Sequence, residues 1–241
     1  MSLLRCDGVS KRFGGVQALD GVDLRVDGGE IVGLVGPNGS GKTTLINLVS
    51  GSFSSSAGHV VFEDRDITRL APHKRAHLGI ARTFQIPRPL ASMSVRDNVM
   101  LALTFGRTQM DQQTAADRSH ELLGQLGLSE RADWATDDLN LHERKFLEVA
   151  RALALHPKLL LLDEVLGGLN PTEVEEGIEV ISKVRASGVA VLYIEHNIKA
   201  VTRLSDRIYV LARGKNLAEG PAQEVIADQR VIDAYLGTAD A

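Results

Sequence analysis

Hydrophobic and polar positions follow two strand patterns along this chain. Loose alternation through Leu3 to Phe13 and Ala18 to Val26, split by Gly14-Gly15, predicts two antiparallel strands with one wet face. Unbroken apolar runs at Ile31-Val32-Gly33-Leu34-Val35, Leu159 to Leu162 and Val189 to Ile194 predict strands buried on both faces. Shorter strands are predicted at His59 to Phe62 and at Gly79 to Gln85, and a last pair at Arg207 to Leu211 and Asn216 to Glu219. Helical spacing covers Thr43 to Ser50, closed by Gly51, a turn at Pro72 to His77, Ala115 to Leu126 before Gly127, and Glu143 to Leu155 before His156-Pro157. A helical tail is predicted over Gln223 to Leu236.

The middle of the chain contains no buried-type strand. Ile86-Pro87-Arg88-Pro89 cannot continue a strand or helix, and Ser94-Val95-Arg96-Asp97 resembles a capping box with Asp in the Glu place, ahead of Val99, Leu101 and Leu103. Gly106 to Thr114 reads as a polar loop. The expected architecture is therefore an α/β core with an α-helical lobe inserted between its strands.

Composition adds boundaries. At 241 residues, 44% hydrophobic and 24% charged, the chain suits one large folded domain or two small lobes. Its net charge of −4 argues against a nucleic-acid binder that relies on a general basic surface. No stretch approaches the ~20 apolar residues of a membrane helix, and Met1 to Cys6 opens no export signal, so a cytoplasmic setting is expected. A lone Cys6 cannot form an internal disulfide.

Candidate chemistry concentrates in Gly36-Pro37-Asn38-Gly39-Ser40-Gly41-Lys42-Thr43-Thr44, which fits the phosphate-loop pattern at every fixed position. Gly36, Gly39 and Gly41 let backbone N–H groups converge on phosphate oxygens; Lys42 adds a mobile charge, Thr43 a hydroxyl for Mg²⁺ and Thr44 a second hydroxyl. A buried-type strand precedes the loop and a helix follows it, so its N-terminus faces the anion. Asp163 and Glu164 end a buried strand at the edge where parallel sheets bind ligands. There Asp163 would hold Mg²⁺ through water and Glu164 would orient or deprotonate the attacking water. His196 ends another strand, where it would contact a γ-phosphate or position water, the alternative being a structural histidine. Phe13 suits a purine-stacking role or the core equally well.

Together these residues resemble the ATP-binding subunit of an ATP-binding-cassette (ABC) transporter over essentially the whole chain, a single domain spanning 1–241. The resemblance implies a P-loop NTPase core of 1–85 and 156–241 with a mixed sheet and an antiparallel β region, and a helical lobe of 86–155. It makes Phe13 the adenine-stacking aromatic, Gly36 to Thr44 the Walker A motif, and Gln85 the Q-loop residue, placed with Thr43 and Asp163 about Mg²⁺. Leu159 to Glu164 becomes Walker B with its catalytic glutamate, Gly168-Leu169-Asn170-Pro171 the D-loop, and His196 the switch histidine. Lys42, Gln85, Glu164 and His196 are then the catalytic set, acting on MgATP.

Ala81 to Gln85, the D-loop, Ile194-Glu195-His196 and Val231-Ile232-Asp233-Ala234-Tyr235-Leu236-Gly237 most resemble the branched-chain amino-acid importer ATPases. Cassettes for urea import or lipopolysaccharide export share parts of the pattern. A soluble ABC protein acting on nucleic acid or ribosomes is the other class, disfavoured by the single cassette and the acidic charge. The implied partners are two transmembrane permease subunits at the cytoplasmic side of the membrane, an extracytoplasmic solute-binding protein indirectly, and a second cassette.

One segment departs from the family. Where the signature usually reads Leu-Ser-Gly-Gly-Gln, this chain has Leu139-Asn140-Leu141-His142-Glu143, with Arg151-Ala152-Leu153 following at the expected distance. Asn140 can replace the serine as a donor. Leu141 and His142 add bulk where glycine would admit a partner's γ-phosphate, and Glu143 adds negative charge. The expectation is a weak signature and a heterodimer with one strong and one weak site, a homodimer being the alternative. Val165 stands where the family often has proline.

Overall fold

The computed structural model describes residues 2–236; Met1, Gly237 of the C-terminal pattern and 238–241 lie outside the described residues. The alternating N-terminal segments form β1 (Ser2–Phe13) and β2 (Val16–Asp27), paired antiparallel with Leu4 opposite Val26 and Cys6 opposite Leu24. β3 (Ile31–Val35) leads through the glycine loop to α1 (Lys42–Ser50), which ends on Gly51 in the left-handed conformation. β4 (Ala57–Phe62) and the two-residue β5 (Arg65–Asp66) complete an antiparallel sheet of order β2-β1-β4-β5. α2 (Pro72–Leu78) then carries the buried Arg75 under α1, where its guanidinium donates to the carbonyls of Leu48 (2.6 Å) and Val49 (2.9 Å). A buried guanidinium thus adds donors to the carbonyls at a helix end, where the Leu48 carbonyl also accepts from Gly51 N–H (3.2 Å).

β6 (Ile80–Arg82) is followed by three helices, α3 (Val95–Phe105), α4 (Gln112–Gln125) and α5 (Leu141–Leu153), before the next strand, β7 (Leu159–Asp163). α6 (Pro171–Ala186), β8 (Ala190–Ile194), α7 (Ile198–Leu204), β9 (Arg207–Ala212), β10 (Lys215–Gly220), α8 (Ala222–Val225) and α9 (Gln229–Leu236) finish the described chain. The second sheet has order β10-β9-β3-β8-β7-β6, parallel throughout except for the antiparallel β10. The unbroken apolar runs are explained by its two covered faces. Leu159 and Leu161 pack with α1 and the antiparallel sheet, whereas Leu160 and Leu162 pack with the residues of α5 and α6.

Several boundaries differ from the sequence reading. β6 stops at Arg82 rather than reaching Gln85, because Thr83 makes a last backbone bond to the Leu161 carbonyl (3.0 Å) before the chain turns towards Pro87. α5 begins two residues early because Asn140 caps it, and the 106–114 loop is shortened because Asp111 caps α4. At Ser94 the Asp97 carboxylate reaches the serine hydroxyl (2.8 Å), being one methylene shorter than the glutamate of a full capping box. α6 and α7 are elements the sequence reading does not assign, and the C-terminal tail is two helices rather than one.

Candidate nucleotide site

The carboxyl edge of the parallel sheet gathers the candidate residues, since β3, β8, β7 and β6 are successive neighbours there. Gly36 to Gly41 leave β3, His196 follows β8, Asp163 and Glu164 end β7, and Gln85 lies three residues past β6. The cleft they face is lined by Asn38, Gly39, Lys42, Thr43, Glu164 and His196. Thr43 is exposed in the first turn of α1, and Thr44 is half-buried behind it.

The loop needs its glycines for two separate reasons. Gly36 has φ +147°, and a Cβ there would lie 2.1 Å from the Leu211 carbonyl oxygen; at Gly41, φ +107°, it would lie 2.6 Å from Leu19 Cδ2. Gly36→Ala is therefore expected to cost about 1–3 kcal/mol of backbone strain, read as a lowered midpoint in denaturant unfolding; an unchanged midpoint would remove this account of the loop. Lys42 folds over the loop, its Nζ donating to the carbonyls of Gly36 (2.8 Å) and Pro37 (3.0 Å). Burial lowers its pKa, opposed by the charges of Glu164 and Asp163. Ser40 Oγ is buried without a hydrogen-bond partner among the described residues. The first amide of the loop is engaged from outside the sheet: Gly36 N–H donates to the Tyr235 hydroxyl of α9 at 2.8 Å.

Glu164 is the focus of three predicted residues. Its Oε2 accepts from Gln85 Nε2 (2.8 Å), and its Oε1 lies 2.8 Å from His196 Nε2. Its backbone has φ +52°, a left-handed conformation uncommon outside glycine. Asp163 lies deeper, 2% exposed. Its Oδ2 pairs with Arg82 Nη2 (3.0 Å), while Oδ1 is buried with no hydrogen-bond partner among the described residues. Burial pushes the Asp163 carboxyl up, and Arg82 pulls it back down. A buried carboxylate oxygen left without a hydrogen bond at the end of β7 is a hard oxygen donor of the kind that fits Mg²⁺.

Arg82 is a site residue the sequence reading does not assign a role. It also donates to Asn47 Oδ1 (2.5 Å) and Ser50 Oγ (3.1 Å) of α1, so one guanidinium ties the Asp163 carboxylate to the helix behind the loop. The available signal is a cation inside a strand that pairs next to a buried strand, which demands a buried anion. Phe13 lies outside the core, 42% exposed, edge-to-face with Phe53 (5.2 Å) and under Lys11 Nζ (4.9 Å).

The variant signature forms the N-terminus of α5. Asn140 Oδ1 accepts from Glu143 N–H (2.8 Å), and Glu143 Oε2 accepts from Asn140 N–H (2.9 Å). Glu143 Oε1 meets Arg131 Nε at 2.8 Å. The expected free negative charge of Glu143 is thus folded back and paired. Leu141 is 48% exposed. His142 packs edge-to-face on Phe146 (4.3 Å), its Nε2 without a hydrogen bond and 3.8 Å from Glu176. In the D-loop, Gly168 has φ +74°, Leu169 is half-buried, and Asn170 caps α6 in a second capping box with Pro171 at the first helical position. Among the described residues no hydrogen bond or ion pair joins Asn140, Leu141 or His142 to the phosphate loop or to Glu164.

This fold and edge define an ATP-binding cassette: residues 19–167 match the ABC transporter family, and the chain belongs to it as an ATPase. Residues 215–241 match the branched-chain amino acid ATP-binding cassette transporter family. The chain is 37% identical over 250 residues to the probable branched-chain amino acid transport ATP-binding protein LivG of Archaeoglobus fulgidus, covering 100% of this chain and 97% of that protein. It is 35% identical over 237 residues to the lipopolysaccharide export system ATP-binding protein LptB of Escherichia coli K12, covering 98% of each. The solved ADP conformation of MJ1267, an ATP-binding cassette of an ABC transporter, superposes with a TM-score of 0.89 at 33% identity, covering 98% of this chain and 99% of that one.

Proposed function

We propose that this chain is the ATP-hydrolysing subunit of an importer for branched-chain or related amino acids. The observation that carries the reading is the convergence of Lys42, Asp163, Glu164, His196 and Gln85 on one sheet edge, in a chain whose 215–241 segment matches the branched-chain cassette family. Gly36 to Thr44 would wrap the phosphates with backbone N–H groups, Lys42 releasing its loop carbonyls for the outer phosphate oxygens, with Phe13 offering a face to adenine. Thr43, Gln85 and Asp163, the last through water, would hold Mg²⁺, which when bound supplies charge neutralisation between the phosphates. Glu164 would accept the proton of the attacking water, with Gln85 and His196 fixing its two oxygens. The core of 1–85 and 156–241 carries these groups, and the helical segment 86–155 carries the signature.

Cassettes of this family dimerise and work with transmembrane permeases. Among the described residues no helix is long and apolar enough to cross a membrane. The chain would sit peripherally at the cytoplasmic side, with permeases meeting the surface beside Gln85. Phe84, Ile86 and Phe105 expose 46%, 72% and 73% of their surface and supply apolar area for such a contact. Two ATP molecules closed between cassettes would favour the dimer, and hydrolysis would reopen it. Leu141 and His142 keep their bulk at the start of α5, which supports a heterodimer in which this chain holds the strong Walker site and offers its partner a weak signature.

Gln85→Ala is expected to reduce solute uptake about tenfold or more while leaving ATP affinity within about twofold, since the residue touches Glu164 and borders the permease surface. Equal loss of uptake and of ATP binding would contradict it. The reading as a whole is tested by isolating the chain from membranes with its associated subunits and measuring ATP-dependent uptake of radiolabelled leucine in vesicles. Recovery alone from the soluble fraction, or with lipid-export permeases, would overturn it.

A further inference from the structure

Lys145 sits inside α5, five residues past its cap Asn140, and is only 7% exposed. Among the described residues its ammonium makes no direct ion pair. Its Nζ donates instead to the backbone carbonyls of Glu164 (2.9 Å) and Gly167 (2.5 Å). Burying a cation against carbonyls alone is costly, and an apolar side chain would be cheaper here. Such a local conflict is expected where a function depends on the group.

The backbone that Lys145 grips is strained. Glu164 holds φ +52°, a conformation that persists only where its surroundings over-determine it. Its N–H donates to the Ile194 carbonyl (3.0 Å), and its carbonyl accepts from Gly167 N–H (3.2 Å) as well as from Lys145. The next residues are held from the other side: Leu166 N–H donates to Oε1 of Glu195 (2.8 Å), a carboxylate 2% exposed. Burial lowers the Lys145 pKa, and the nearby charges of Glu195 and Glu164 raise it back. The turn carrying Glu164 is therefore clamped between a cation from α5 and an anion from the end of β8.

We propose that Lys145 is a positioning residue that sets the orientation of the Glu164 carboxylate and ties it to the helix bearing the variant signature. A shift of α5, whose N-terminus offers Asn140 and Leu141 to a partner cassette, carries the Lys145 anchor with it and moves the Glu164 carbonyl. Engagement of α5 is thereby transmitted to the residue that takes the proton. This rests on the reading of Glu164 as the base.

The test uses the membrane-extracted transporter containing this chain, with Lys145→Met, Lys145→Arg, Glu164→Gln and the Lys145→Met/Glu164→Gln double variant. Lys145→Met is expected to lower kcat for ATP about 10–100-fold with KM and ADP affinity within about twofold, because small misplacements of a reacting group cost rates of that size. Lys145→Arg, which keeps charge and donors, should restore most of the rate. In the Glu164→Gln background Lys145→Met should lower the residual rate no further. A parental kcat in Lys145→Met, or the same fold-loss in both backgrounds, overturns the proposal. Should the Met variant fail to fold by thermal melting, Lys145→Gln, which can still reach one carbonyl, is judged by the same two comparisons. A parental rate in Glu164→Gln alone would instead remove the base assignment itself.

Discussion

Glu164→Gln is expected to lower ATP turnover about 10²–10⁴-fold, the usual contribution of a positioned general base, while leaving nucleotide affinity within about twofold. The carboxylate sits between two nitrogens, Gln85 Nε2 on one oxygen and His196 Nε2 on the other, each at 2.8 Å. An amide has the same shape, so the cleft keeps its walls and Lys42 its place. It has no basicity, however, and one end of it would present N–H groups to a neighbour that already donates or must change its own proton. Binding should persist because, among the described residues, no phosphate-loop residue hydrogen-bonds to Glu164 Oε1 or Oε2, and Lys42 is held by the Gly36 and Pro37 carbonyls. Phosphate release at steady state, beside equilibrium binding of ATP, checks both halves; undiminished turnover would remove Glu164 from the mechanism.

Arg82→Met is expected to be the most damaging change to stability, about 3–5 kcal/mol at neutral pH, because it strands a buried carboxylate. Asp163 is 2% exposed and Arg82 its only ionic partner among the described residues, and Asn47 and Ser50 lose a donor at the same time. The pH dependence follows from the direction of the Asp163 shift. Burial already raises its pKa, and without Arg82 nothing of comparable strength lowers it, so the folded state of the variant retains the proton to higher pH than the unfolded chain. The variant is then most nearly normal below the ordinary carboxylate range, near pH 4, and loses stability as pH rises through the folded-state pKa. Denaturant midpoints of parent and variant at pH 4 and pH 7.5 test this, and an equal deficit at both would refute the account. Adding Asp163→Asn to Arg82→Met should recover part of the loss at pH 7.5.

Much of the molecule was legible without coordinates, and the reason differs by element. β3 and β7 occupy the residues their apolar runs suggest, since a strand covered on both faces admits few alternatives to unbroken Val, Ile and Leu. α1 was marked at both ends, by the loop before it and by Gly51 after it. α6 is unassigned although its signals are present: Asn170 as cap, Pro171 in the first turn, Glu173 closing the box, and Val174, Ile178 and Ile181 at helical spacing. Gly168 to Pro171 is at once a loop motif and the cap of the helix that follows it. The early start of α5 is similar, because Asn140 reads as a replacement for the signature serine and Glu143 as an added negative charge, whereas three residues apart they form a capping pair.

By itself the sequence determined the phosphate loop at Gly36 to Thr44, the paired acids Asp163 and Glu164, the buried strands and the family, because each depends on residue types at fixed local spacing. Only the tertiary structure decided who holds these groups. Arg82 against Asp163, Gln85 and His196 on Glu164, Tyr235 on Gly36 and Lys145 beneath the Glu164 turn join residues from 19 to 199 positions apart. Spacing along a chain does not encode such pairings; the order of the strands in the sheet and the packing of α5 and α9 against its edge do. The same holds for Glu143, whose charge the sequence leaves open to a phosphate and the fold closes onto Arg131 and the Asn140 amide.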